Sequence, residues 1–121
     1  MEHQELVDSI VNQDESIRFA TVCNMAGDME VTKQRQGVEN LLTTEETQDS
    51  LKDAAKAWIH SRTPHFKKTG KGLYTVTAYE KLKRATIPLE DGYLLLATMD
   101  NSADDAKTLA NIIKQVHAEQ A

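Results

Sequence analysis

The feature that most restricts this chain is Glu90-Asp91-Gly92, set between the runs Lys83–Leu89 and Tyr93–Met99. An Asp-Gly pair accepts the positive φ angles of a tight turn, so the two runs must pair as antiparallel neighbours. Tyr93–Met99 is the most apolar strand-like segment of the sequence, which predicts a central place in a sheet covered on both sides. Pro88 puts a missing N–H donor near the end of the preceding strand.

A second hairpin is predicted near the start. In Ser16–Cys23, Ile17, Phe19 and Thr21 alternate with Arg18, Ala20 and Val22. Asn24-Met25-Ala26-Gly27-Asp28 supplies turn chemistry, with Gly27 free to take positive φ. Met29 and Val31 then continue a strand whose other face carries Glu30 and Lys33. Leu73–Ala78 alternates in the same way and gives a fifth strand.

Three amphipathic helices complete the set. Leu6, Val7, Ile10 and Val11 make one stripe, ending near Asp14. Thr43-Thr44-Glu45-Glu46 has the capping-box pattern, and Leu51, Ala54, Ala55, Trp58 and Ile59 follow at helical spacing. That helix is expected over Thr44–Ser61, with Pro64 ending it. The next segment, His65–Gly72, reads as a basic loop. Ser102 caps a last helix with Leu109, Ile112, Ile113 and Val116 on one side, and its tail is expected to fray from His117. The order is α-β-β-α-β-β-β-α. It predicts one α+β domain over residues 1–121, a five-stranded antiparallel sheet covered by helices.

Composition enters as a limit. The chain has 121 residues, one cysteine and six aromatic residues, so its core is aliphatic and no internal disulfide can form. Met1–Asp14 is acidic and lacks the apolar run of a signal peptide, and the apolar stretch Tyr93–Ala97 is too short for a membrane span. A cytoplasmic protein is expected. The net charge of −5 argues against a general nucleic-acid binder. Positive charge is nevertheless concentrated in residues 63–84, where Lys67, Lys68, Lys71, Lys81, Lys83 and Arg84 face only Glu80. This island reads either as a solvated surface or as a docking patch for an acidic partner.

Chemistry-bearing motifs are sparse. His60, His65 and Asp53 lack the spacing of a metal set, so no metal or cofactor is expected. Lys68-Thr69-Gly70-Lys71-Gly72 has part of a phosphate-loop composition, but it runs from helix to strand, the reverse of the required order. Ser16, Ser50, Ser61 and Ser102 have no nucleophile-elbow context. Cys23 lies in an apolar strand and reads as a buried hydrophobe. No enzymatic activity is expected.

The element order, the Ala26-Gly27 turn, the helix Thr44–Ser61 and the segment Glu90-Asp91-Gly92-Tyr93-Leu94-Leu95-Leu96 resemble the roadblock family, relatives of dynein light chains and GTPase regulators with a profilin-like fold. Small archaeal proteins of that type are similar too. The resemblance implies a homodimer in which the middle helices pack together and the third strands pair. Here those are Thr44–Ser61 and Gly72–Tyr79, with Leu51, Ala54, Ala55, Trp58, Thr75 and Thr77 as interface residues. It also implies a scaffold-type interaction module, with a small GTPase or another acidic protein as partner. The alternative is a PAS-like sensor holding a small molecule near Phe19, Trp58 and Tyr74. Trp58 itself suits either a core or an interface.

Overall fold

A computed structural model describes residues 2–62, 65–101 and 105–120. The chain runs α1 (His3–Gln13), β1 (Ile17–Asn24), β2 (Met29–Gln34), α2 (Thr44–Ala57), a π-helical turn (Trp58–Arg62), α3 (Phe66–Thr69), β3 (Thr75–Ala78), β4 (Lys83–Pro88), β5 (Tyr93–Met99) and α4 (Asp105–Gln120). The five strands form one antiparallel sheet in the order β2-β1-β5-β4-β3. β5 is its middle strand, as its apolar run requires.

Helices pack on both faces. Leu6, Val7, Ile10 and Val11 of α1 and Ile112 and Val116 of α4 pack on Ile17, Ala20, Val22, Ala85, Ile87, Leu95, Ala97 and Met99. On the other face, Leu51 of α2 and Trp58 pack on Phe19, Cys23, Leu94 and Leu96. Asp14 ties the first layer together. Its carboxylate accepts from the Ser16 N–H at 2.9 Å and from the Thr108 hydroxyl of α4 at 3.0 Å. The Ser16 N–H, with help from the Ser16 and Thr108 hydroxyls, holds that carboxyl below its usual pKa.

α2 starts as its sequence demands. Thr43 Oγ1 accepts the Glu46 N–H at 3.1 Å, and Glu46 Oε1 accepts the Thr43 N–H at 2.9 Å. The helix is seated by the β1–β2 turn. Gly27 has φ +86°, and a Cβ there would lie 2.5 Å from the Lys52 Cα. The Gln48 side-chain amide donates to the Gly27 carbonyl across the same contact.

Four local expectations are corrected. The pairing register breaks between Ile17 and Phe19, so a bulge rotates Ile17 onto the face of Ala20 and Val22 rather than that of Phe19 and Thr21. β3 begins at Thr75, not Leu73. Its register pairs Thr75 with Thr86 and Thr77 with Arg84, which makes Leu73 and Pro88 the next hydrogen-bonded pair. Pro88 has no N–H for that bond, and the ladder stops. The 65–72 segment contains a helical turn, closed by Gly70 at φ +84°. α4 continues to Gln120, past His117. Pro64 and Ser102, the expected helix stop and cap, lie outside the described residues.

Candidate functional site

The face of the sheet beneath α2 is only partly covered. α2 lies over β1 and β5, while the β4–β3 side carries polar side chains. Trp58 Nε1 donates to Thr86 Oγ1 at 3.0 Å, and Arg84 donates to the Ser50 hydroxyl of α2. Thr75 and Thr77 pair with Thr86 and Arg84, so they continue this polar face to the sheet margin.

β3 is that margin. Tyr79 N–H donates to Leu82 O at 2.8 Å, and antiparallel alternation then directs the Thr77 and Thr75 backbone groups to β4. Val76 and Ala78 direct theirs outward. β3 has no charged residue between Thr75 and Ala78, and it is flanked by the exposed side chains of Leu73, Tyr74 and Tyr79. The opposite margin, β2, differs. It carries Glu30 and Lys33, and the Gln4 side chain of α1 donates to its Thr32 carbonyl at 3.2 Å. Charges and covered carbonyls are the usual guards of a sheet edge. β2 has both and, among the described residues, β3 has neither.

The expected interface residues divide. Leu51, Ala55 and Trp58 are 0–2% exposed because the sheet of their own chain takes them. Ala54 is half-buried beside them. The outward surface of α2 carries Asp49, Lys52, Asp53 and Lys56, followed by the exposed Ile59. Thr75 and Thr77 lie on the margin strand. The basic residues are also dispersed. Lys67 and Lys68 lie exposed on α3 and Lys71 on the loop after it. Lys83 and Arg84 are successive strand residues and point to opposite faces. Lys81 and Arg84 line a common cleft at one end of the sheet.

That cleft has a volume of about 590 Å³. Phe19, Leu96 and Thr98 form its floor, Leu41 and Leu42 one wall, and the β3–β4 turn with Tyr79 the opposite wall. The segment before α2 is held there by Arg18, which donates to the Glu39 carbonyl and to Asp100 Oδ1, both at 2.9 Å. Sequence reasoning missed Leu41 and Leu42. The available signal was an apolar pair immediately before a helix cap, where no core stripe needs it.

The ligand grouping of Phe19, Trp58 and Tyr74 is corrected. Trp58 is buried, and Tyr74 lies across the sheet beside Leu109 and Ile113 of α4. The His60, His65 and Asp53 side chains are exposed, and among the described residues no three His, Cys, Asp or Glu groups are placed to hold a metal ion. Burial, with a smaller contribution from Asp28, pushes the Cys23 thiol up to about 11, so it carries no thiolate near neutrality. Among the described residues no helix is long and apolar enough to cross a membrane.

No protein-family model and no curated protein matches this chain in sequence. Solved structures match its fold. An MglB with a tetrameric arrangement aligns over 96% of this chain and 83% of its own, with a TM-score of 0.78 at 12% identity. A Roadblock/LC7 domain from Streptomyces avermitilis aligns over 98% of both chains, with a TM-score of 0.70 at 14% identity. Acanthamoeba castellanii profilin II covers 98% of this chain and 97% of its own, with a TM-score of 0.63 at 14% identity. The chain has the roadblock fold, within the profilin-like architecture.

Proposed function

We propose that this protein is a non-enzymatic interaction module that pairs with a second copy of itself through β3 and presents the joined surface to a protein partner. The observation that carries this reading is the asymmetry of the two sheet margins. β2 is charged and capped by Gln4, whereas β3 is neutral, open and flanked by Leu73, Tyr74 and Tyr79. A strand of this kind joins another by backbone hydrogen bonding, with side chains on alternate faces adding area. In a two-fold pair, Thr75 and Thr77 of each copy come together on the sheet face that carries α2. The tetrameric arrangement of the MglB structure supports self-association on this fold.

The partner in this reading is a small GTPase or a related acidic protein surface, met in the cytoplasm. The exposed Lys67, Lys68 and Lys71 supply complementary charge close to β3 in sequence. A reducing compartment suits the single, buried, unpaired Cys23.

Light scattering on the purified protein tests the pairing. A dimer is expected. Ala78→Pro removes an N–H that points away from β4, so the fold is retained and the dimer dissociates into monomers. A wild-type monomer at all concentrations, or a dimer indifferent to Ala78→Pro, removes the proposal.

A further inference from the structure

The cleft at the end of the sheet shares Tyr79 with the β3 margin, but the rest of its lining has a chemistry that self-pairing through β3 does not use. Leu41, Leu42 and Tyr79, three of the six exposed large hydrophobic residues among those described, all border it. Leaving these side chains in water is unfavourable unless something covers them. The floor beneath them is apolar too, through Phe19 and Leu96.

Its charges are unbalanced. Arg18, Lys81 and Arg84 line the cleft against one carboxylate, Glu80, in a protein of net charge −5. Arg18 is neutralised by Asp100 at 2.9 Å. Lys81, exposed on the turn, balances Glu80 in charge only, without an ion pair among the described residues. Arg84 is left over: it is half-buried, donates to the Ser50 hydroxyl, and has no carboxylate within ion-pair distance among the described residues. A guanidinium presents five donors, so Arg84 retains donors for an incoming anion.

The shape narrows the class of occupant. The wall of Leu41 and Leu42 stands on the β1 side, and the 79–82 turn stands on the β4 side. The turn is held down by the Asn101 side chain, which donates to the Glu80 carbonyl. The opening is thus flanked on both sides, and its volume falls within the range of small-molecule sites, roughly 300–1,000 Å³.

We propose that this cleft binds a small amphipathic carboxylate, its apolar body on Phe19, Leu96 and Leu42 and its carboxylate on Arg84. The arrangement supplies one charged hook at the edge of an apolar trough, which is what a medium-chain or aryl carboxylate requires. Neutral molecules of the same shape gain the trough without the hook and bind more weakly.

Titration of the nitrogen-15-labelled full chain with decanoate, followed by amide chemical shifts, tests the site. Saturable shifts are expected at residues 18–19, 41–47, 79–84 and 96–98, with decanol binding about tenfold more weakly. Arg84→Met should lower decanoate affinity about tenfold and leave decanol unchanged. Leu42→Glu changes an exposed side chain outside any helix and preserves the fold whatever Arg84→Met does. It should abolish decanoate binding by filling the trough with like charge. Three outcomes overturn the proposal. Decanoate and decanol bind equally, shifts spread over α4 instead of the cleft, or the same amides move with protein concentration alone, which assigns the cleft to a second copy of the chain.

Discussion

Gly27 joins two demands that no other residue type meets together: a left-handed φ of +86° and direct contact with the backbone of α2 at Lys52. Because the neighbour is backbone, it cannot swing aside. Gly27→Ala is therefore expected to cost roughly 2–4 kcal/mol, from strain plus displacement of α2. Urea unfolding measures this, and a loss below about 1 kcal/mol would show that the helix shifts freely. His3 makes a different connection. Its Nδ1 lies 2.6 Å from Glu30 Oε1, its Nε2 lies 2.6 Å from Asp91 Oδ2, and its ring tilts against Tyr93 at 4.6 Å. Two carboxylates on one imidazole require both nitrogens to carry protons. Burial lowers its pKa, but the hydrogen bonds to Asp91 and Glu30 outweigh it, and the net shift is upward from 6.5. The Tyr93 hydroxyl, hydrogen-bonded to Glu30, is also raised. With a raised folded value, the His3 contribution is complete below about pH 6.5 and disappears as pH climbs through the folded pKa. His3→Gln should remove that pH-dependent part of the melting temperature, leaving the values above the transition nearly unchanged. An unaltered pH profile in His3→Gln would exclude this connection.

Among the elements, α2 has the most complete local specification. The reciprocal bonds of Thr43 and Glu46 place its start at one residue. Thr43→Ala should destabilise the protein by about 1 kcal/mol, as for other capping threonines, with faster amide exchange confined to the first turn of α2. Exchange unchanged in that turn would mean that packing alone sets the helix start. The same element shows how far sequence carries. The capping box, the Asp91-Gly92 turn and the central position of β5 are all specified by neighbouring residues, so they were readable. What covers an apolar stripe is specified by distant residues. Leu51, Ala55 and Trp58 formed a recognisable stripe, but helical spacing says only that such a stripe is covered, not whether by its own sheet or by a second chain. The bulge beside Arg18 escaped for a related reason. Alternation in Ser16–Cys23 looks regular, and only the register with β5 shows Ile17 turning to the other layer. The cleft was the least visible feature, since its walls come from segments almost forty residues apart in sequence.

At the scale of the whole molecule, charge is segregated. Residues 63–84 are net positive by five charges in a chain of net −5. The exposed lysines Lys67, Lys68 and Lys71 belong to one short stretch, α3 and the loop after it, so they act as a local field more than as partners in defined pairs. Changing all three to Ala should slow association with an acidic protein partner by about threefold or more at low ionic strength while leaving dissociation nearly constant. The difference should vanish near 1 M salt, where screening acts over about 3 Å. Stopped-flow association at several salt concentrations measures it, and equal rates at low salt would deny these lysines a steering role.

The guarding of β2 reaches beyond the monomer. A ribbon of strands with two adhesive borders can add units without limit and grow into a filament. In the proposed pair, Glu30, Lys33 and Gln4 blunt one border, the other is satisfied once by a twin, and no template is left for a third molecule. On that proposal, the few charged and polar atoms along β2 separate a finite complex from a fibre.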